Sequence, residues 1–503
     1  MFDAYDNEIQ TLIAKGYAEF VPPNEVCNMH DLRVWYLPHH LVLNPKKPGK
    51  LRVVFDCAAK FGGQSLNDRC FSGPDLINRL TYVLFRFRQH IYAFTCDIEA
   101  MYYQVLIPPQ DRNALRFLWY GRDGRLVHYR MTRHLFGGVW CGSSATYALR
   151  KSVEFDKSVS ESVRDTIFRS FYVDDCLRSA QSADEARTVA LETLRVLSNS
   201  GFNLTKFVSN SQDLIKALPD CKTVGDKEIG PADQSSVLGV VWNVSSDQFQ
   251  FKCDARVVES ITKRQMLSCI TSVFDPLGMI APIMVRGKVI FQQTSKMKLT
   301  WDEPVPDSLL PTWNQWQRDI MILDTLKIPR CIKPVIECTS ELHHFSDASE
   351  DAYGCCSYLR NIDPSGRVSV HLLYSRSKVA PLKRISIPRL ELEAATMAAR
   401  ADDVLRRELD FQIVQSHFWS DSQIVLQYIA NESHRFLTYV ANRVSLIRSL
   451  SSSEQWHHVS SKENVADIIS RGRILTSNDK NRWFSGPTFL SLTDADLRPK
   501  LTS

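Results

Sequence analysis

No stretch of these 503 residues is long and apolar enough for a membrane span; the longest candidate, around Gly278 to Val285, falls far short of the ~18 residues required. The N-terminus lacks the basic-then-apolar order of a signal peptide, since Asp3, Asp6 and Glu8 come early. Cysteine is present 13 times, an odd number with no Cys-x-x-Cys pair, which argues against a disulfide framework or a zinc array and for reduced intracellular thiols. There is no sustained repeat and no low-complexity tract. Net charge is also slight: +5 permits nucleic-acid binding without demanding it, so local basic stretches carry more weight than the total. What remains is a cytosolic or nuclear globular chain. Its 44% hydrophobic and 23% charged residues can build a sizeable core, and its length suggests about three or four domains.

The pattern along the chain alternates strands and helices. Residues 8–18 read as a short helix closed by Gly16. His40-Leu41-Val42-Leu43 and Leu51-Arg52-Val53-Val54-Phe55 read as two strands joined by a basic turn containing Lys46, Lys47 and Lys50, with cations suited to a triphosphate or simply to solvent. Asp97 ends a strand-like run, Phe94-Thr95-Cys96-Asp97, before residues suited to a helix; a lone Asp there is more often a helix cap than a metal ligand. Leu115 to Tyr120 and Leu126 to Arg130 form a further hairpin, and Cys141-Gly142-Ser143-Ser144-Ala145 opens a helix with small residues that permit close approach. In Phe171-Tyr172-Val173-Asp174-Asp175-Cys176-Leu177 two adjacent carboxylates lie between apolar runs, the pattern of a hairpin turn. A capping box at Ser182 to Glu185 then starts a helix that Gly201 ends. Val237 to Trp242 reads as one strand, and residues 261–293 as helices broken at Asp275-Pro276-Leu277-Gly278.

Farther on, acids recur at element ends. Asp347 closes His343-His344-Phe345-Ser346, and Asp421 closes Phe418-Trp419-Ser420. A helix from Arg389 to Leu409 carries both Glu391 and Glu393; Glu391 shares its face with Ala394, Ala395 and Ala398, the small side able to lie on a sheet, and is the inward acid by that spacing. Trp456-His457-His458-Val459 and then Glu463 to Gly472 offer a histidine, His458, and a fourth acid, Asp467. The order strand, helix, hairpin, helix, strand around Asp97, Asp174 and Asp175 fits an α+β palm better than a run of solvated turns.

Arg52-Val53-Val54-Phe55-Asp56, Asp97-Ile98, Phe136-Gly137, Tyr172-Val173-Asp174-Asp175 and Gly201-Phe202-Asn203-Leu204-Thr205-Lys206 occur in the order of the finger and palm motifs of LTR-retrotransposon reverse transcriptases, which the chain resembles. Tyr36-Leu37-Pro38-His39-His40, Ser65-Leu66-Asn67-Asp68, Gly73-Pro74, Asp111-Arg112 with Leu115-Arg116-Phe117-Leu118-Trp119, and Phe274-Asp275-Pro276-Leu277-Gly278 resemble the BEL/Pao group of pol polyproteins more closely. The resemblance runs from about residue 8 to 473. It implies an α+β multidomain chain: a right-hand fingers, palm and thumb polymerase followed by an α/β ribonuclease H-like domain. The implied divisions are fingers and palm over 1–210, thumb and connection over 211–335, the ribonuclease H-like domain over 336–475 and a polar tail over 476–503.

By the same resemblance Asp97, Asp174 and Asp175 hold two metal ions, Lys50 and Arg52 take the triphosphate, Tyr102 excludes a 2′ hydroxyl, and Phe136 and Gly137 line the nucleotide pocket. The segment Gly138-Val139-Trp140-Cys141-Gly142 departs from the family's usual small-residue and proline pattern, which loosens the analogy there. Asp347, Glu391, Asp421 and Asp467 match the metal-binding acids of ribonuclease H, with His458 in the place of its mobile histidine. The implied cofactor is magnesium or manganese, two ions per site, and the implied activity is RNA-directed DNA polymerase with ribonuclease H. The implied partners are an RNA template, a DNA primer, their hybrid, deoxynucleotide triphosphates and other segments of one polyprotein, in a cytoplasmic virus-like particle or the nucleus and away from membranes.

Two other readings compete. The region near 240–400 also resembles what is named the Pao retrotransposon peptidase family, but an aspartic peptidase needs an Asp-Thr-Gly or Asp-Ser-Gly turn and neither tripeptide occurs. An inactive nucleic-acid-binding remnant is the other; all seven acid positions being intact argues against it. The expected capsid, protease and integrase neighbours are missing, which reads as a segment of a longer polyprotein or a shortened gene model.

Overall fold

The computed structural model describes residues 2–26, 33–43, 51–121, 124–154, 156, 158–220, 234–237, 240–251, 260–333, 337–433, 435–475, 477–493 and 496–497. The first helix spans Phe2–Ala14, earlier than the 8–18 read from sequence, because Ala18 is already paired with Met131 in a strand and Gly16 turns the chain at φ +67°. Strands Ala18–Phe20, Leu126–Met131 and Arg116–Tyr120 form an antiparallel sheet beside the hairpin His39–Leu43/Leu51–Phe55. Lys46, Lys47 and Lys50, read from the sequence as a basic turn, lie outside the described residues. The Asp111-Arg112…Arg116 motif builds this fold: Arg112 and Arg130 share Glu19 at 3.2 and 2.7 Å, and buried Arg116 is held by Asn113 at 3.0 Å and the Glu25 carbonyl at 3.0 Å.

A four-stranded antiparallel sheet follows, in the order Phe171–Tyr172, Asp175–Ala180, Tyr92–Ile98, Leu204–Ser209. Period-2 alternation sends Phe94, Cys96 and Ile98 into a core with helices Cys141–Glu154, Glu161–Arg169 and Ala183–Asn199, leaving Asp97 on the opposite face. Ser182 caps the last of these helices as its sequence requires, accepting from the Glu185 amide. The expected helix after Asp97 is only a 3₁₀ turn, Met101–Gln104, entered through Ala100 at φ +50°.

In the second half, the single strand expected at Val237 to Trp242 is two, Gln234–Val237 and Val240–Asn243, paired antiparallel. Helices Lys263–Ser272 and Ala281–Lys296 flank the expected break, where Asp275 accepts the Met279 and Ile280 amides at 2.8 and 2.9 Å. A Cβ at Gly278 (φ +71°) would lie 2.0 Å from the Ser375 carbonyl, so only glycine lets this joint close on the neighbouring sheet. That sheet has five strands, Val368–Val379, Ala352–Ile362, Thr339–Ala348, Gln415–Ser420 and Trp456–His458; the first pairings are antiparallel and the last two parallel. The helix Ile387–Glu408 covers one face, and Trp483, Phe489 and Leu490 cover the other. Within 476–503, read as a polar tail, Trp483, Phe489, Leu490 and Leu497 thus supply core: the aromatic side chains are the lid the sheet's open face needs.

One apolar core runs from Val83 to Leu497 and joins the two halves. At its centre Arg88 donates to the carbonyls of Arg330 (3.2 Å), Pro329 (3.4 Å), Leu372 (2.9 Å) and Leu373 (3.3 Å), while Arg330 is held by Asp247 at 2.6 Å. No helix among the described residues is long and apolar enough to cross a membrane.

Candidate active sites

The first acid set sits on the four-stranded sheet. Tyr172 and Asp175 close the hairpin, so its turn is Val173-Asp174, with Val173 at φ +57° and Asp175 already in the strand. Asp175 lies directly across from Asp97, and the Ile98 amide donates to the Asp174 carbonyl at 2.9 Å, so the register brings all three aspartates together. Burial, with Asp174 and Asp97 beside it, pushes Asp175 up to about 7; burial likewise raises Asp174, against the pull of Lys206 and Arg52. The Lys206 ammonium, from a residue at φ +56°, is ion-paired with Asp97. Lys206 went unremarked as a site residue because only the pairing of Thr205 with Asp97 brings it there.

Around these acids, Tyr102 meets Phe136 edge-on at 4.7 Å, and a Cβ at Gly137 (φ +105°) would lie 2.9 Å from the Phe55 carbonyl. Asn67 fastens this loop through the Gly137 carbonyl and the Val139 amide, both at 3.0 Å. Burial raises the Tyr102 hydroxyl, with Cys141 and then Asp174 adding to it. Arg52 is exposed on its strand, yet its charge acts on Asp174.

The second set is tighter. Asp347, Glu391 and Asp421 each offer an oxygen within 4.8 Å of the others. Parallel pairing of Ser346 with Ser420 brings the two aspartate-bearing strand ends side by side, and the small residues Ala394, Ala395 and Ala398 let the helix bring Glu391 down on them. The Ala348 amide donates to Glu391 Oε1 at 3.1 Å, and the buried Oε2 has no protein partner. Asp421 accepts from Ser461 Oγ at 2.5 Å and Asn464 Nδ2 at 3.0 Å, and Ser470 Oγ donates to Asp347. Ser461, Asn464 and Ser470 were not anticipated; they lie 40 to 123 residues from their acids. Burial first, then the neighbouring acids, pushes Asp347 up to about 8 and Glu391 to about 9. Glu393 turns away to Arg443 (2.6 Å) and Tyr439 (2.9 Å). Asp467 opens a short helix and pairs with Arg471 and with Arg473 at 2.7 Å, while His458 is exposed at the end of its strand beside Ser420.

Three hard oxygen donors, an orphaned buried Oε2 and mutual repulsion suit a divalent cation of the magnesium type. The other compact group, Glu341, His343 and His417, does not fit one. Trp419 Nε1–H donates to His343 Nδ1 at 3.2 Å, which leaves the ring proton on Nε2, the nitrogen 3.5 Å from Glu341; Arg360 already holds that carboxylate at 2.8 Å. Ser357, His344 and Asp402 line up like a nucleophilic triad at 2.8 and 3.1 Å, but all three are buried and form part of the core.

The acid cluster predicts a metal-free liability. Asp347 and Glu391 hold protons in the folded chain that the unfolded chain releases near pH 4, so stability falls as pH rises toward 8–9. Buried His417 and His371, held near 3 and 4 by burial, act oppositely but only below about pH 6.5. Between pH 7 and 9 in a chelator, melting temperature is therefore expected to fall. Asp347→Asn should flatten that slope and stabilise the protein by at least about 1 kcal/mol. A wild type whose melting temperature is level over that range would refute the repulsion.

Residues 262–422 match the family described as the Pao retrotransposon-like RNaseH-like domain, a span containing Asp347, Glu391 and Asp421. Among solved structures, a foamy viral protease-reverse transcriptase dRH in complex with double-stranded DNA superposes with a TM-score of 0.55 at 14% identity, covering 91% of this chain and 69% of that one. This is a reverse-transcriptase fold with a ribonuclease H-like domain. A second foamy viral protease-reverse transcriptase, also in complex with double-stranded DNA, gives 0.54 at 13% identity, covering 91% and 82%. No curated protein matches the chain in sequence. The matched span 262–422 contains four of the five strands of the sheet that bears the tighter cluster.

Proposed function

We propose that the chain is an RNA-directed DNA polymerase with ribonuclease H activity, of the BEL/Pao retrotransposon type, working on an RNA template, a DNA primer and their hybrid within a longer polyprotein. Fingers and palm occupy 1–210, thumb and connection 211–335 and the nuclease 336–475, with Trp483, Phe489 and Leu490 beyond it closing its sheet; its setting is a cytoplasmic virus-like particle or the nucleus. The observation that carries the reading is the presence in one fold of two separate carboxylate sets, each assembled at strand ends.

Asp97, Asp174 and Asp175 would hold the ions of the polymerase site, and Asp347, Glu391 and Asp421, with Asp467 at the rim, those of the nuclease. Loaded with magnesium or manganese, two ions to a site, these carboxylates would supply activation of the attacking oxygen and stabilisation of the leaving one. The protein's own part is positional. Arg52, with Lys50, neutralises the triphosphate; the Tyr102 ring, braced by Phe136, fills the space a 2′ hydroxyl would need; Gly137, whose missing side chain lets its loop close on the Phe55 carbonyl, lines the nucleotide pocket with Phe136. Lys206 gives Asp97 a counter-charge. In the nuclease, Ser461 and Asn464 hold Asp421 in one orientation, Ser470 does so for Asp347, and His458 is the group available to carry a proton at the rim.

The test is one preparation assayed twice, for extension of a DNA primer on RNA and for cleavage of a preformed RNA/DNA hybrid. Both activities are expected with magnesium and neither after chelation. A preparation that extends no primer and cuts no hybrid with magnesium present would rule the reading out.

A further inference from the structure

Residues 57–78 run as a strap along the loop 136–140 and the first turn of the helix Cys141–Glu154. Asn67 donates to the Gly137 carbonyl and accepts from the Val139 amide, both at 3.0 Å, and its own amide donates to the Cys57 carbonyl at 3.0 Å. Six residues on, a Cβ at Gly73 (φ +75°) would lie 2.6 Å from Ser143 Oγ, so backbone and helix touch there. Farther still, Asn78 Nδ2 donates at 2.9 Å to the carbonyls of Phe168 and Phe171, at the foot of the Asp174–Asp175 hairpin. Between the first two anchors stands Phe71, 96% exposed.

Single exposed apolar residues are ordinary. Phe71 differs in being held out by backbone fixed a few residues away on both sides, next to the loop that carries Phe136. A second aromatic, Phe61, is 84% exposed on a tight turn closed by the Phe61 amide on the Gln64 carbonyl at 2.8 Å, with Gly62 and Gly63 at positive φ. Exposed Lys60 and Arg69 accompany the two rings. The strap's acids are occupied locally: Asp68 accepts the Ser65 amide at 2.9 Å in a capping box, and Asp75 the Ile77 amide at 3.2 Å. Rings interleaved with exposed cations suit stacked bases and their phosphates, the chemistry of single-stranded nucleic acid.

We propose that Phe71, with Phe61 as a second platform, stacks the unpaired template bases just ahead of the nucleotide pocket. The proposal rests on the polymerase reading above and names the path of the template within it. Each ring holds one base by its face, so the site tolerates any sequence.

The test compares binding of the full chain to an RNA/DNA primer–template with a short unpaired 5′ template overhang and to the same duplex made blunt. Wild type is expected to favour the overhang roughly tenfold, the order that one aromatic–base stack supplies. Phe71→Ala should erase that preference without changing the melting temperature, and Phe71→Trp should keep it. A 2-aminopurine at the first unpaired template position should be quenched by wild type and released by Phe71→Ala. A preference that survives Phe71→Ala, or a wild type that extends primers yet binds both duplexes equally, overturns the proposal. Failure to extend any primer overturns the polymerase reading itself.

Discussion

Asp174→Asn is expected to lower primer extension by about a thousandfold while leaving hybrid cleavage intact, and Asp421→Asn to do the reverse. Each change keeps the side chain's volume and removes one charge from one set. Asp174 shares its site with Asp175 and Asp97 across the hairpin, whereas Asp421 meets Asp347 and Glu391 on another sheet, and no carboxylate is common to both. Asparagine at 421 can keep its oxygen toward the Asn464 amide and donate its own NH2 to Ser461 Oγ, so the loop that docks there should persist and the loss should be chemical. Steady-state primer extension and hybrid cleavage on the same preparations would check both halves. Extension that survives Asp174→Asn removes the first site; joint loss of both activities in either variant means that the sites are not independent.

Arg88→Ala is expected to damage both activities together by loosening the joint between the halves. The guanidinium is buried among carbonyls from two different sheets with no carboxylate partner, and burial with Arg330 alongside pulls it down to about 9. Removing it leaves several buried acceptors bare, each costing about 1–3 kcal/mol, so a loss of about 3 kcal/mol is expected. Arg88→Lys should recover only part of it, because one ammonium cannot reproduce the planar fork that reaches both sheets. Thermal melting with limited proteolysis reads this out: Arg88→Ala should melt several degrees lower and become cleavable between the halves. An unchanged melt would show that the shared apolar core alone holds them.

The parts of the site that obey local rules were legible before any coordinates. Strand periodicity placed Asp97, Asp347 and Asp421 at strand ends, and helical spacing separated Glu391 from Glu393, which the structure turns toward Arg443. Ser182, Gly201 and the break at Asp275 to Gly278 announced themselves through capping and turn chemistry. The strand expected at Val237 to Trp242 went wrong for a local reason as well: a run of apolar residues does not reveal a reversal inside it.

What the sequence determined alone is therefore the inventory: which residues are acids, which short segment carries each, and which way each points relative to its neighbours three or four positions away. The tertiary structure decided who meets whom. It brought Lys206 onto Asp97, Ser461 and Asn464 onto Asp421, and Ser470 onto Asp347, set Arg88 between two sheets, and turned an apparent polar tail into the cover of a core. The physical reason is separation. A strand or helix period is written within a few residues, but a register between strands a hundred residues apart is chosen by the whole core that closes around it.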